Sequence, residues 1–349
     1  AVDDLKRTLS QIFGDGRGGY PAGAYVDGFL IHTLWSMEDV AAVYEGLDNP
    51  DPKAEQIGAL AALVDYRDGT NRTGLNPKEE KLVRHIGFSG HHSPPVMIEM
   101  IQRDRGNVLD LMLVSINAND RLYFNQQYNA IPVAAAKNMG IIAMKVFADG
   151  AMYTKDAVWS TRPEHVVRSV GSGPLPSRPL VEYALATPGI GTAIIGIGQI
   201  ANRPGECQLA QNMSAAQIRP ESLAETDRAA IEEKAAQAKG GQTNWFQIPS
   251  EPLGPPREPA VAQESRDGKR IARLTWQTAY AGDRPLRRYE IRRDNRKIGQ
   301  VEHRPQVTRS PFVFEDALTD RQAHTYQVVT VDADGREAAC EELALSATG

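Results

Sequence analysis

Polar residues that could do chemistry stand at the ends of short apolar runs in the N-terminal part of the sequence. Such runs, for example Phe29-Leu30-Ile31, lead into His32, Ser89, Ser115, Asn117, Lys145, Gly196 and Gly198. Imidazole, hydroxyl, amide and ammonium groups donate or accept hydrogen bonds, and glycines let backbone amides approach a phosphate. If the runs are parallel strands, their carboxyl ends meet at one edge of a sheet. The spacing therefore predicts a functional site at such an edge.

The elements between these runs have helical periodicity. Val2, Leu5, Leu9 and Ile12 recur at helical spacing, and Ser93-Pro94 has the N-cap and first-position residues that begin many helices. Strands separated by helices predict parallel βαβ units with right-handed crossovers. Near-continuous apolar strands are typical of a sheet that is buried on both faces. The first part of the chain is therefore predicted to be α/β.

Composition narrows the function classes. The 349 residues carry a net charge of -5, which argues against a dedicated nucleic-acid binder. No apolar run approaches the about 18 residues that suggest a membrane span. Cys207 and Cys340 have neither metal-ligand spacing nor a disulfide framework. We expect a cytoplasmic protein or, since the chain begins at Ala1 and a leader could have been removed, a periplasmic or secreted one.

The apolar runs resemble consecutive strands of an aldo-keto reductase. Phe29-Leu30-Ile31-His32 resembles the fourth barrel strand, and Arg-His-Ile-Gly-Phe-Ser-Gly-His at 84–91 resembles the fifth. Leu113-Val114-Ser115-Ile116-Asn117 resembles the sixth strand, and Ile-Ala-Met-Lys-Val-Phe at 142–147 the seventh. Ala-Ile-Ile-Gly-Ile-Gly at 193–198 resembles the eighth strand with its phosphate-binding loop. The resemblance implies a partial or incomplete (β/α)8 TIM barrel of the aldo-keto reductase type over residues 1–245.

The same resemblance implies that three strands are missing. The catalytic tyrosine and aspartate of the family lie on its second strand and the lysine on its third, and these strands would precede Ala1. Tyr25, Asp27 and Lys145 have the right side chains but do not occupy those positions. Five strands alone would leave two open edges and an uncovered core. We expect an N-terminal part that completes the barrel; a rearranged or degenerate relative is the alternative.

The resemblance also implies reduction of a small-molecule carbonyl substrate by hydride transfer from NADPH. His32 matches the active-site histidine that orients and polarises the carbonyl; the alternative is a core histidine held by a backbone carbonyl. The cofactor-binding residues implied are Ser89, Ser115, Asn117, Lys145, Gly196, Gly198, Arg203 and Gln208. Ser89 would bind the nicotinamide carboxamide or else be a turn residue, and Lys145 would approach the diphosphate or else be solvated. Arg203 would meet the 2′-phosphate of NADP and Gln208 the adenine.

Three histidines raise the alternative of a metal. His85, His91 and His92 lie close together, but no carboxylate or cysteine stands at a recognisable ligand spacing. We therefore predict no metal site, with His91 and His92 at the mouth of the site or in solvent.

The pattern changes after a proline-rich linker at 246–258. Short alternating runs between turns then predict an antiparallel β-sandwich over residues 259–349. This block resembles a fibronectin type III module, with Trp276, Tyr289, Leu318 and Tyr326 at its core positions. The resemblance implies a spacer or adhesion module that is open to protein or glycan contact, without catalysis.

Two classes of function remain at this point. The chain is either an NADP-dependent oxidoreductase with an attached sandwich or a non-catalytic binding protein on a reductase-like scaffold. The absent tyrosine, lysine and aspartate positions favour the second class for the chain alone, and we expect it to be inactive by itself. The polar strand ends favour the first class for an intact protein.

Overall fold

The protein is described by a computed structural model over residues 1–150, 175–196, 200–220, 222–239, 244–249 and 253–347, with residues 152, 158, 161, 162 and 164. Gly198 lies outside the described residues.

Helices and parallel strands alternate through the first part of the chain. They are α1 (Val2–Phe13), β1 (Val26–Leu34), α2 (Met37–Tyr44), α3 (Ala59–Asp68), β2 (Val83–Gly90), α4 (Pro94–Arg103), β3 (Leu109–Ser115), α5 (Ala130–Ala136), β4 (Gly140–Met144), α6 (Ser177–Leu185), β5 (Thr192–Ala193), α7 (Gln208–Ala215) and α8 (Glu225–Lys239). The strands pair in the order β1-β2-β3-β4-β5, all in parallel. The expected α/β class is confirmed, and the sheet fits a fragment of an α/β barrel.

Local chemistry sets several element boundaries. Ser36 and Asp39 form a capping box that begins α2, each side chain accepting from the other's backbone N–H. Ser93 occupies the N-cap position of α4 without a side-chain hydrogen bond, and Pro94 is the first helical residue. Helix α5 begins only at Ala130, because Asn125 and Asn129 bond to backbone groups and hold the preceding chain in turns.

The two faces of the sheet are buried differently. Ile86, Phe88 and Met112 lie on one face, which is buried with residues of α4 such as Met97. On the opposite face Leu30, Leu111, Leu113, Ile142 and Met144 are only half-buried. Strand register puts Ser89 and Ser115 on this second face, because side chains alternate along each strand. His32 follows Leu30 at the same two-residue period, just where the register of β1 with β2 shifts. The less covered face therefore carries the polar strand ends.

The C-terminal part consists of antiparallel strands. They are β6 (Arg257–Arg266), β7 (Lys269–Gln277), β8 (Leu286–Arg293), β9 (Arg296–Glu302), β10 (Phe312–Leu318), β11 (His324–Asp332), β12 (Glu337–Ala339) and β13 (Leu343–Leu345). One sheet has the order β10-β7-β6 and the other β12-β11-β8-β9, with β13 also paired to β11. Trp276, Tyr289, Leu318 and Tyr326 are buried in a core separate from that of the α/β part. The predicted antiparallel block is confirmed.

The two parts share a hydrogen-bonded interface. The side chain of Asn129 donates to Ala281 O at 3.0 Å and accepts from Ala281 N at 2.8 Å. On α4, Gln102 donates to Gln306 O at 2.6 Å, and Arg309 pairs with Glu99. Although the two parts have separate hydrophobic cores, hydrogen bonds and an ion pair from polar side chains connect the sandwich to the α/β part.

Candidate functional site

Three basic side chains meet where the parallel strands end. His32 lies near the end of β1, His91 directly follows β2, and Lys145 directly follows β4. The rings of His32 and His91 lie edge to face with centroids 6.3 Å apart. His32 is exposed, whereas His91 is only 4% exposed. The parallel order of the strands is what brings these residues together.

The hydrogen bonds of His91 define its tautomer. Thr33 Oγ1 donates its only proton to Ser89 O at 3.1 Å and lies 3.3 Å from Nδ1 of His91. Thr33 must therefore accept from His91, so we place the ring proton on Nδ1. Within the described part of the chain no hydrogen bond reaches Nε2, which is left as an acceptor.

His91 is neutral at physiological pH. Burial lowers the pKa of its imidazole to about 4, and the nearby charge of Lys145 acts in the same direction, followed by His32 and His92. Burial also lowers the pKa of His92. The site thus holds a neutral imidazole whose free nitrogen can accept a proton or a hydrogen bond from a ligand hydroxyl.

Lys145 is held by a strained turn. Its backbone is left-handed at φ 60°, as are Ala148 and Asp149 after it, which is uncommon for non-glycine residues. The turn brings Lys145 Nζ to 3.1 Å from Asp149 Oδ1. Trp245 Nε1 donates to the other carboxylate oxygen at 3.2 Å. The ammonium group is therefore positioned at the edge by an ion pair that an indole supports.

Aromatic rings surround these polar groups. Trp35 stacks on His91 with centroids 5.6 Å apart and rings 10° from parallel. Trp245 lies 5.1 Å from His91 and 5.9 Å from Trp35. Lys145 Nζ lies 5.4 Å from the centroid of Trp245. Because Trp35 is 42% exposed, one apolar ring remains available for a ligand beside the polar groups.

Ser89, Ser115 and Asn117 lie at the same edge, but their polar atoms bond within the protein. Ser115 donates to the backbone oxygen of His91, and Ser89 Oγ lies 3.5 Å from Ile31 O. The amide of Asn117 donates to Asp120 and accepts from the backbone of Asn119. In this structure Ser115 positions His91, and Asn117 shapes the loop after β3.

The remaining predicted cofactor residues lie beyond β5. Apart from its chain neighbours, no atom of the described residues lies within 4 Å of the point where a Cβ on Gly196 would stand. Arg203 is 83% exposed and pairs with Glu206 at 3.2 Å. Gln208 begins α7 and is fully buried, and among the described residues its Oε1 has no hydrogen-bond partner. Asn212 joins two of them, since its Nδ2 lies 3.5 Å from Gly196 O and its Oδ1 accepts from Gln208 Nε2.

Backbone donors converge at the start of α7. They lower the pKa of the Cys207 thiol, Ala201 N–H contributing most and Ala210 N–H next. Such donors favour negative charge at a helix start. The backbone amides near Cys207 therefore favour the ionised form of its thiol.

The sequence-based prediction missed several residues of the site. Trp35 comes three residues after His32, so an aromatic residue near a strand end was a usable signal. No local pattern marks Trp245, which the prediction placed at the border of the linker. Asp149 is recognisable only once the left-handed turn brings it to Lys145. These positions depend on tertiary contacts.

Two general findings bear on the site. Among the described residues, no three histidine, cysteine or acidic side chains group as metal ligands. Among the same residues, no helix has the length and apolarity that crossing a membrane would require.

The fold and site define an α/β protein with a histidine, lysine and tryptophan centre at the carboxyl edge of a parallel sheet. No protein-family model matches the chain, and no curated protein is detectably similar to it. Among solved structures, aldo-keto reductase AKR11C1 from Bacillus halodurans (holo form) aligns at TM-score 0.37 and 15% identity, covering 70% of this chain and 68% of that chain. Its apo form aligns at 0.36 and 16%, covering 67% of each chain.

A third solved structure is more remote. The endo-beta-1,4-mannanase from Thermotoga petrophila aligns at TM-score 0.19 and 8% identity, covering 83% of this chain and 70% of that chain. TM-scores and sequence identities this low carry no information about function.

Proposed function

We propose that the protein is an NADP-dependent oxidoreductase of the aldo-keto reductase type, which reduces a carbonyl by hydride transfer. The observation that carries the proposal is the convergence of His32, His91 and Lys145 at the carboxyl ends of parallel strands. The neutral imidazole of His91 can orient a carbonyl or hydroxyl oxygen without adding a buried charge. Trp35 offers an apolar surface beside them. The general acid of the reaction is not assigned to a residue of this chain.

Part of the proposed cofactor set fits NADP. The open space at Gly196, the exposed guanidinium of Arg203 and the donors at the start of α7 suit phosphate groups. Among the described residues Gln208 Oε1 has no hydrogen-bond partner, so it could accept from an adenine amino group, but Gln208 is fully buried and its surroundings would have to open to admit the ring. NADPH would supply the hydride when bound. The chain's own residues would hold its phosphates and orient the substrate oxygen toward His32.

We further propose that three more βα units complete the barrel. The half-buried inner face, with Leu30, Leu111, Leu113 and Ile142, would be covered by them. The residues with tyrosine, lysine and aspartate roles would come with these units. Without them, the chain is expected to bind cofactor but turn over little substrate.

The sandwich is proposed to be a fibronectin type III-like module. Its sheets of three and four main strands around Trp276, Tyr289 and Tyr326 support this assignment. Such a module could contact a protein or glycan partner through its exposed strands.

A specific observation favours the non-catalytic alternative. Lys145 is in an ion pair with Asp149, and the polar atoms of Asn117 bond within the loop after β3. These groups would have to exchange partners to bind a cofactor. On this alternative, the edge binds a small ligand without reducing it.

Cofactor titration distinguishes the two functions. Nicotinamide fluorescence should report binding of NADPH to the full chain, more tightly than NADH. Arg203→Ala should reduce this preference by about 10- to 150-fold, because a charge-assisted hydrogen bond contributes about 1.5–3 kcal/mol. Arg219→Ala, an exposed arginine beyond the other end of α7, is the matched control and should keep the preference. No binding of either dinucleotide would favour the non-catalytic alternative.

A further inference from the structure

The loop between β3 and α5 contains many buried polar side chains. Asn117, Asn119, Asp120, Asn125, Gln126, Gln127 and Asn129 are each at most 7% exposed. Connecting segments usually leave such side chains in water, because burying a polar group is costly unless it is hydrogen-bonded. The bonds that these side chains make show what the loop holds in place.

The end of the loop holds the sandwich. Asn129 makes two hydrogen bonds with the backbone of Ala281, and Asn125 Nδ2 donates to Gly282 O at 2.8 Å. Asn129 Nδ2 also donates to Asn125 O at 2.9 Å, so the two asparagines are linked. The ring of Phe124 meets that of Tyr280 edge to face at 5.2 Å. One short stretch of the loop therefore carries several contacts to the sandwich.

The beginning and middle of the loop hold the segment at 244–249. Asp120 Oδ1 accepts from Gln247 Nε2 at 2.7 Å, and Phe124 N donates to Ile248 O at 2.8 Å. Phe246 is 2% exposed. This segment therefore packs on the α/β part, and the loop holds it by one side-chain and one backbone hydrogen bond.

The same segment carries Trp245 into the candidate site. The indole lies against His91 and Trp35 and donates to Asp149, which pairs with Lys145. Phe124 is bonded to the segment through its backbone and packed on the sandwich through its ring. A continuous set of contacts therefore runs from Ala281 and Gly282 to the indole.

We infer that the sandwich positions Trp245 in the site, through the bonds of Asn125 and Asn129 to Ala281 and Gly282 and of the loop to 244–249. Asn125 and Asn129 are positioning residues, since they touch the indole only through other residues. If the sandwich's bond to the loop is lost, the loop gains freedom at Phe124 and the indole loses its fixed place against His91. The inference concerns the edge assigned to the proposed function, but it does not depend on NADP binding.

The sandwich has a second attachment that supplies the control. Gln102 donates to Gln306 O from α4, and neither residue bonds to the loop or to 244–249. Gln102→Ala weakens the docking of the sandwich at a buried site, as Asn129→Ala does. Only Asn129→Ala removes a contact in the path to Trp245.

The test uses the full chain labelled with 5-fluorotryptophan and observed by 19F NMR. Trp245→Phe identifies the resonance of Trp245, and the resonance of Trp276, buried in the sandwich core, reports that the sandwich is folded. Asn129→Ala should shift or broaden the Trp245 resonance and increase its exposure to a soluble paramagnetic quencher at least twofold. Gln102→Ala should leave both properties unchanged.

Two results would overturn the inference. One is an unchanged Trp245 resonance in Asn129→Ala; the other is an equal change in Gln102→Ala, which would mean that any loosening of the sandwich acts on the site. If Asn129→Ala loses the Trp276 resonance, Asn125→Ala, which removes the bond to Gly282, is judged by the same criteria. Because the readout is the indole itself, failure of NADPH to bind would not affect the outcome.

Discussion

Replacing His91 with glutamine should make the protein less sensitive to acid. In the folded chain the pKa of His91 is lowered from 6.5 to about 4, primarily by burial. In the unfolded chain the imidazole should titrate near its ordinary value of about 6.5. Between these two pKa values His91 is protonated in the unfolded state but neutral in the folded state. The free energy of unfolding therefore falls as the pH is lowered.

The size of the effect follows from the two pKa values. Relative to neutral pH, wild type should lose ~0.8 kcal/mol of unfolding free energy at pH 6 and ~2 kcal/mol at pH 5 through this one group. The loss should reach ~3 kcal/mol near pH 4. Glutamine does not titrate, so the variant should lack this part of the pH dependence. His92, whose pKa is also lowered by burial, would leave a smaller remaining slope.

Urea unfolding at pH 7.5, 6 and 5, followed by tryptophan fluorescence, measures the effect. The quantity compared is the change in unfolding free energy between pH 7.5 and pH 5 within each protein, because His91→Gln will also lower stability at every pH. Gln102→Ala, which removes a buried amide but no titratable group, is the control and should leave the slope as in wild type. If wild type and His91→Gln lose the same unfolding free energy between pH 7.5 and pH 5, His91 is not buried as a neutral imidazole.

Three further changes test other parts of the structure. His324→Gln should lower the free energy of unfolding more at pH 5.5 than at pH 9. The hydrogen bond with Asp294 raises the pKa of His324, and the stabilisation is lost as the pH rises through that folded-state pKa. Thermal melts of both proteins at the two pH values measure the difference. Asp65→Ala should destabilise by about 3–5 kcal/mol in chemical unfolding, since this 1% exposed carboxylate accepts the backbone N–H and hydroxyl of Thr73 and two further donors. Trp276→Phe should change stability by less than ~2 kcal/mol, because the small cavity formed is offset by removal of a buried indole N–H that has no partner among the described residues. A loss above ~4 kcal/mol by the same assay would contradict this.

Local patterns were sufficient to predict the two kinds of architecture. Apolar runs separated by helical periodicity predicted the parallel sheet, since a buried parallel strand requires nearly continuous apolar side chains. Alternation with period two predicted the antiparallel block, and Trp276 and Tyr326 are buried as expected of core residues. The strand ends also indicated which edge would carry His32 and Lys145, because parallel pairing aligns all carboxyl ends.

Element lengths were predicted less well. The last parallel strand has only two residues, Thr192–Ala193, although the apolar run continues through Ile195. Ile194 is 60% exposed, so apolar composition alone did not extend the pairing. Strand length depends on a partner strand, which a run of residues does not specify.

The sequence by itself determined the alternation of strands and helices, the change to a sandwich, and the edge at which polar residues collect. Only the tertiary structure decided that Trp245 lies on His91, that Asp149 reaches Lys145, and that Asn129 bonds to a backbone 152 residues away. The physical reason is that periodic burial is repeated along the chain and can be recognised locally. A contact between distant segments is formed once and depends on how whole elements pack, so no local pattern records it.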